Sequence, residues 1–393
     1  MNKIYEYNSY VTSCEAVVSS CKTEQEQIWI QLSDSVFFPE GGGQYADTGE
    51  ILVGERKIQV LDGQVTDGEV WYQVSEILEA GTKVVCQLNW EQRYMRMQQH
   101  SGEHIIMGVI HNKFKLENVG FHLSDTEPVT LMLNGSLSRE QIRQVERMAN
   151  QIIYANMPIT ISFPTDEELK TLTYRSKIEI QGQVRITAIG NEKETIDVCA
   201  CCAPHVDRTG EVGIIKVVSV QNVKDGVKVG ILCGKRAWEY YDEQLSYMQA
   251  AANQLSTSPD QVSRIIEKQK QEIIDLKNQI GQMAEKMVLK EVEALGGVAH
   301  GCVFTEEILA MGPLKSVYNA MTEKISGYSG IFMGDDENGY RYCAGSRQLD
   351  SRELAKMMRE ALGCKGGGSA EMVQGKVMAK KEAIQSFFDG LVQ

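Results

Sequence analysis

Two short stretches, about a hundred residues apart, carry the residue types that hold a transition metal. The first is His100-Ser101-Gly102-Glu103-His104 and the second is Cys201-Cys202-Ala203-Pro204-His205. The chain has six histidines, and three of them lie in these two clusters. His100 and His104 are four apart, so on a helix they project from one face. Cys201 and His205 have C-x3-H spacing. Pro204 disfavours helix at the residue before it, so this pair belongs to a loop or tight turn. Together they offer three imidazoles and one thiolate, a borderline-soft set that suits Zn²⁺ in a tetrahedral site. Four protein ligands are the pattern of a structural zinc, whereas a catalytic zinc keeps one position open. Glu103 allows a second reading. His-x-x-Glu-His is the inverted zinc-peptidase signature, in which the Glu is the general base and a distant Glu the third metal ligand. That reading leaves Cys201 and His205 without work. Cys199 and Cys202 are expected to be buried or neighbouring thiols, not ligands.

The elements that must position these residues are legible from patterning. The fold class expected is a multidomain α+β protein. Residues 1–90 contain β-rich runs at 28–32, 51–53, 57–61 and 70–74, separated by turn residues, which predicts a small β-barrel. Inside it lies Phe38-Pro39-Glu40-Gly41-Gly42-Gly43-Gln44, a glycine loop that on its own reads as a hairpin turn. Residues 91–235 read as an α+β domain. It has a helix from about Tyr94 to His111, strands within 119–133, and a helix from Ser138 to Tyr154 with Ser138 and Gln141 as a capping box. Strands at 159–163, 184–189, 212–220 and 227–233 follow, with a short helix at 166–172. Residues 236–297 read as a helical linker. Ser258-Pro259-Asp260-Gln261 is a helix start with Ser258 as cap. Ile266, Ile273, Ile280 and Met287 then recur every seven residues, with Leu276 and Met283 between them, as in a coiled-coil seam. Gln269 and Lys290 interrupt the seam, so a helical hairpin and a short homodimer contact both fit. Residues 298–393 read as a last α/β domain.

Composition narrows the classes. The formal net charge of −13 excludes a chain that is basic all over, although nine Lys/Arg against four Asp/Glu between Arg341 and Lys381 make a local basic stretch. No run is long and apolar enough to span a membrane, and the polar start Met1-Asn2-Lys3 lacks a secretion signal, so a cytoplasmic protein is expected. Ten cysteines without a framework pattern point to reduced thiols.

The two clusters in this order resemble the AlaX proteins, relatives of the editing domain of alanyl-tRNA synthetase. That family carries H-x-x-x-H followed by C-x-x-x-H, and here the second motif runs on into Thr209-Gly210-Glu211-Val212-Gly213. The glycine loop with Asp47-Thr48-Gly49 is similar to the family's N-terminal barrel, and Gly120-Phe121-His122-Leu123-Ser124 to its pocket lining. The stretch Gly366-Gly367-Gly368-Ser369-Ala370-Glu371-Met372 is similar to the DHHA1-type domain of the synthetase, and stands where the family often has Arg-Pro-Asp after the glycines. The resemblance implies the long AlaX form, with 91–235 as the editing domain and 298–393 as a DHHA1-like domain for tRNA binding or dimerisation. It implies hydrolysis of mischarged tRNA(Ala), chiefly Ser-tRNA(Ala) and also Gly-tRNA(Ala), around zinc held by His100, His104, Cys201 and His205. Binding alone rejects a close isostere only about 10²-fold, which is why a second, hydrolytic sieve exists. On this reading Glu103 is a candidate base. Gly41, Gly42, Gly43, Gln44, Ser124 and Thr130 are candidates for contacting the substrate. Lys365, Gly366, Gly367, Gly368, Lys376, Lys380 and Lys381 are candidates for contacting tRNA. Two other readings remain: the zinc peptidase, and a tRNA-binding protein whose zinc is only structural. Aminoacylation is not expected, since no ATP-binding signature is present.

Overall fold

Six strands at the N-terminal end close into a barrel. They are β1 (Ser13–Glu24), β2 (Gln27–Leu32), β3 (Gly49–Val53), β4 (Arg56–Thr66), β5 (Glu69–Val74) and β6 (Lys83–Leu88), joined in the order β1-β2-β5-β4-β3-β6. Alternate side chains such as Val18, Ile30, Ile51, Ile58, Tyr72 and Cys86 fill its interior, as the two-residue period of a strand requires. The computed structural model describes residues 1–176 and 182–391. The chain divides into two units, Met1–Tyr247 and Met248–Gln393.

Helix α1 (Trp90–Phe114) follows the barrel and is the central element of the first unit. The Asn89 side chain caps its first turn by accepting from the Gln92 N–H, and Lys115 in the left-handed region ends it. It extends beyond the 94–111 expected from periodicity and is buried on most sides, so its polar residues face protein instead of water. Two glycines let it sit that deep. A Cβ on Gly102 would lie 2.3 Å from the Cys233 Sγ, and one on Gly108 would lie 2.5 Å from the Ile196 carbonyl oxygen.

Two sheets surround α1. One has the order β12-β13-β8-β7, from β7 (Asn118–His122), β8 (Val129–Leu133), β12 (Ile215–Val223) and β13 (Gly226–Cys233). The other is β9-β10-β11, from β9 (Ile159–Ser162), β10 (Ile186–Gly190) and β11 (Thr195–Ala200). Helix α2 (Arg139–Ala155) carries the capping box of Ser138 and Gln141 that the sequence predicts. The strand expected at 212–220 begins at Ile215 instead, because Thr209–Val212 forms a 3-10 turn and Gly213 turns the chain at φ +77°.

The second unit is built on the sheet β14-β15-β16-β18-β17. Its strands are β14 (Gly301–Thr305), β15 (Ser329–Asp335), β16 (Gly339–Gly345), β17 (Lys365–Gly368) and β18 (Met372–Val377). Only the β14–β15 pair is parallel, bridged by α5 (Met311–Lys324). Helix α3 (Gly234–Gln254) precedes this unit's long helix α4 (Val262–Ala294). Helices α4 and α5 cover one face of the sheet, and α6 (Ser351–Leu362) and α7 (Lys381–Asp389) the other. Ser258 does not cap α4 with its side chain. Its hydroxyl bonds Asp260 instead, Pro259–Gln261 forms a 3-10 turn, and the α-helix starts at Val262. Among the described residues no helix is long and apolar enough to cross a membrane, and all ten cysteines are free.

Candidate metal centre

One turn of α1 points His100 and His104 the same way, their rings 5.5 Å apart. The loop after β11 brings Cys201 and His205 to them. One nitrogen of each imidazole and the Cys201 Sγ all lie within 4.8 Å of one another. The thiol sulfur is 3.6 Å from His100 Nε2 and 3.3 Å from His205 Nε2. A tetrahedral zinc bonded to sulfur and nitrogen at ordinary lengths holds those two atoms about 3.6 Å apart. The donor set and its spacing therefore fit Zn²⁺.

Each imidazole is held from behind through Nδ1, which leaves Nε2 for the centre. His100 Nδ1 lies 2.9 Å from Gln44 Oε1, His104 Nδ1 2.8 Å from Asp197 Oδ2, and His205 Nδ1 3.0 Å from Ser101 Oγ. Such partners fix the tautomer and orient the ring. Asp197 is itself gripped at 2.8 Å by both Nε and Nη2 of Arg175. Burial opposes ionisation of Cys201, yet the imidazoles of His100 and His205, with hydrogen bonds from His100 and His104, bring its thiol well below the ordinary value. Burial pushes His205 down to about 3, so its ring is neutral at physiological pH. These two shifts favour the forms that bind a metal, whereas His104, against the opposing effect of burial, is raised by Asp197 and Cys201 well above the ordinary value.

Three chain segments are locked into this arrangement by buried arginines and glycines. Arg93 on α1 is fully buried and ion-paired with Asp47, and it donates to the carbonyls of Ser9 and Val36. Asp47 also accepts from the Phe38 N–H at 2.7 Å, so the glycine loop is fastened to the helix that carries the histidines. Within the loop, Gly41 and Gln44 exchange backbone hydrogen bonds. Gly43 has φ +81°, and a Cβ there would lie 2.6 Å from the Phe121 ring. The loop is thus a turn, as its glycines alone indicate, and it also delivers Gln44 to His100. Arg185 pins the cysteine loop, donating to the carbonyls of Glu6 (3.0 Å), Cys201 (2.7 Å) and Ala203 (2.9 Å).

Glu103 faces the cluster. Its Oε1 accepts from Asn118 Nδ2 at 2.7 Å, and its Oε2 lies 3.7 Å from His104 Nε2. Ser124 and Thr130 spend their hydroxyls locally. Ser124 Oγ accepts from the N–H groups of Thr126 and Glu127, and Thr130 donates to the Pro128 carbonyl at 3.3 Å. Cys199 is buried beside His104 and Asp197, and Cys202 is exposed. Asp197, Arg175, Arg185, Ser101 and Asn118 escaped the sequence reading. Only Asp197 had a local signal, as a charged residue within the otherwise largely apolar strand β11.

In the second unit, Gly366, Gly367 and Gly368 form the exposed edge strand β17. Lys365 pairs in register with Lys376, and Lys376 with Arg341, which sets three exposed cations in a row across β17, β18 and β16. Lys380 stands at the N-cap of α7. Lys381 holds its ammonium 5.0 Å from the Phe304 ring centroid.

Residues 184–228, which include the cysteine loop, match the family described as the threonyl and alanyl tRNA synthetase second additional domain. The alanyl-tRNA editing protein AlaX-L of Pyrococcus horikoshii is 27% identical over 98% of this chain and 96% of its own length. The chain is similar to AlaX-L almost end to end. Alanine–tRNA ligases are similar as well: that of Ignicoccus hospitalis is 28% identical over 69% of this chain, and that of Pyrococcus abyssi 25% over 91%. The matched parts are only 31% and 40% of those ligases, whereas the likeness to AlaX-L spans both chains.

Proposed function

We propose that this protein is a zinc-dependent deacylase that hydrolyses tRNA(Ala) mischarged with serine, and to a lesser degree with glycine. The observation that carries the reading is the convergence of His100, His104, Cys201 and His205, each ring braced through Nδ1, in a chain similar to AlaX-L over nearly its whole length. These four residues would hold the metal, which when bound supplies Lewis acidity and a fixed point for the ester end of the substrate.

The chain's own residues do the rest. Gln44 turns Oε1 to His100 while its Nε2 is buried without a hydrogen-bond partner. It is the donor available for a substrate carbonyl or a seryl hydroxyl. Neither Ser124 nor Thr130 has a hydroxyl left over in the same way. Gly41, Gly42 and Gly43 form the tight turn, packed against Cys202 and Phe121, that holds Gln44 beside His100. Glu103, steadied by Asn118, takes the proton of the attacking water and returns it to the leaving ribose oxygen. The peptidase reading asks for a glutamate as third ligand, and the closeness of Cys201 and His205 to the two histidines supports the proposed set instead.

In this reading residues 1–90 are the barrel domain, 91–235 the editing domain, 236–297 the helical linker and 298–393 a DHHA1-like domain, in a cytoplasmic protein. The last domain holds tRNA through the edge glycines Gly366, Gly367 and Gly368 and through Lys365, Lys376 and Lys380, with Arg341 completing the row. Lys381 is the weakest of these candidates, since its ammonium already lies on Phe304.

The deciding experiment combines metal analysis with deacylation of Ser-, Gly- and Ala-tRNA(Ala) by the wild type, Cys201→Ala and His104→Ala. One zinc per chain and selective release of serine, both lost in the two variants, supports the proposal. Unchanged deacylation in zinc-free variants overturns it. Tight tRNA binding without deacylation would leave the zinc a structural role only.

A further inference from the structure

Two of the free cysteines face each other where the barrel closes. Strands β1 and β6 pair there, and Cys14 of β1 stands directly opposite Cys86 of β6. Cys86 is fully buried in the barrel core, and Cys14 packs half-buried against that core. The Leu88 N–H donates to the Thr12 carbonyl, and the Val18 N–H to the Thr82 carbonyl. Hydrogen-bonded pairs alternate along an antiparallel ladder, so Cys14 and Cys86 form one of them, with Cα atoms about 5.5 Å apart. A disulfide spans Cα separations of about 4.4–6.8 Å. The Cβ atoms of such a pair start about 5.5 Å apart, and a disulfide needs about 3.5–4.5 Å. The bond therefore forms by drawing the two strands together, which leaves it easy to reduce.

The two thiols are not equivalent. Cys86 donates a hydrogen bond to the Cys14 sulfur, and the Val36 N–H donates another. The bond from Cys86 lowers the Cys14 thiol below its ordinary value against the opposing effect of burial, while the same bond and burial push Cys86 far up. The thiolate forms at Cys14, the more exposed of the two, and the proton stays on Cys86. That is the division between an attacking and a resolving thiol. Cys21, also half-buried on β1, stands opposite Ile30 and has no thiol across from it.

We propose that Cys14 and Cys86 are a reversible redox pair, oxidised by hydrogen peroxide. The Cys14 thiolate attacks one peroxide oxygen. The S–O bond forms, the O–O bond breaks, and the hydroxide that leaves is protonated to water. The Cys86 sulfur then attacks the sulfenic acid on Cys14. The S–S bond forms, the S–O bond breaks, and the Cys86 proton leaves with the hydroxyl as water. Two thiols give up two electrons, and one peroxide becomes two waters. Because Cys86 resolves the sulfenic acid, Cys14 is spared irreversible oxidation to the sulfinic acid.

The test is peptide mapping of the full-length protein by mass spectrometry after exposure to hydrogen peroxide. The expected product joins Cys14 to Cys86, is lighter by two hydrogens, and reverts with dithiothreitol. Before oxidation, iodoacetamide should label Cys14 several-fold faster than Cys21 in the folded protein. In Cys86→Ala, Cys14 should pass to the sulfinic acid and escape recovery by dithiothreitol. In Cys14→Ser, Cys86 should stay a thiol. Circular dichroism checks the fold of both variants, and the wild-type map decides the matter if either fails to fold. A wild type in which both residues remain thiols while the exposed Cys202 is oxidised, a Cys14 labelled no faster than Cys21, or full recovery of Cys14 in a folded Cys86→Ala would each overturn the proposal.

Discussion

Replacing Asp197 with Asn tests whether the ring of His104 is braced for a metal. The substitution keeps the shape of the side chain and removes its charge. In the structure Asp197 Oδ2 is 2.8 Å from His104 Nδ1, and both oxygens take a hydrogen bond from Arg175. An Asn oxygen in the place of Oδ2 keeps His104 and the Arg175 Nη2, but its NH2 group then faces the Arg175 Nε donor, and the charge is gone. Changing a group that holds a ligand ring costs about 10–100-fold in metal affinity, which corresponds to about 1.4–2.7 kcal/mol. The braces on the other two rings are neutral. Gln44→Leu and Ser101→Ala should each lose about 0.5–1.5 kcal/mol, or about 2–12-fold. The expected order of damage is therefore Asp197→Asn above Gln44→Leu and Ser101→Ala. The assay is competition for zinc against a chromophoric chelator, with thermal melting of the metal-free proteins run in parallel. Arg175→Met separates the two jobs of Asp197, since it removes the ion pair and leaves the contact with His104. Wild-type zinc affinity in Asp197→Asn, or an equal loss in Arg175→Met, would refute the idea that the carboxylate acts through His104.

Glu103→Gln should keep zinc at full stoichiometry while lowering the deacylation rate by about 10²–10⁴-fold, the range for a positioned proton carrier; single-turnover rates beside metal analysis check this. Gly108→Ala puts a Cβ against the Ile196 carbonyl and should cost about 1–3 kcal/mol by overpacking, seen as a lower melting temperature and a metal site weakened through β11. Neutralising Lys365, Lys376 and Arg341 together should reduce the slope of log affinity for tRNA against log salt by about 2–3, measured by filter binding, with zinc content unchanged.

The grouping of His100, His104, Cys201 and His205 was legible because a helix and a loop impose different spacings, and the sequence shows both at once. His100 and His104 obey the four-residue period, and Pro204 marks the turn that carries Cys201 and His205. The capping box at Ser138 was legible for the same reason, since both halves of the interaction lie within one turn. What could not be read is what arrives from elsewhere in the chain. Gln44 reaches His100 across fifty-six residues, Asp197 reaches His104 across ninety-three, and Arg185 reaches back to Glu6 across one hundred and seventy-nine. Nothing local distinguishes these residues from ordinary polar groups of a strand or loop. Strand β1 hid in a similar way. Of its twelve residues only Ala16 and Val18 are fully buried, so its alternation is short and its polar remainder resembles a loop. The length of α1 was underestimated because burial on most sides masks an amphipathic period.

The placement of two carboxylates resolves a tension in the donor set. Four protein side chains complete a tetrahedron, and a metal held that way has no position for water without loosening or adding a bond. A site of this kind needs a proton acceptor that is not a ligand. Asp197 cannot serve, because His104 and Arg175 already occupy its two oxygens. Glu103 Oε1 accepts from Asn118, and its Oε2 lies 3.7 Å from His104 Nε2, beside the cluster. The adjacent positions 103 and 104 thus divide the labour under the proposed function, with the histidine in the grip and the glutamate beside it handling protons. The same division explains how the helix can spell His-x-x-Glu-His without a peptidase's ligand shell. Under the proposed function the motif holds a base beside a ligand, and Cys201 and His205 supply the remaining ligands.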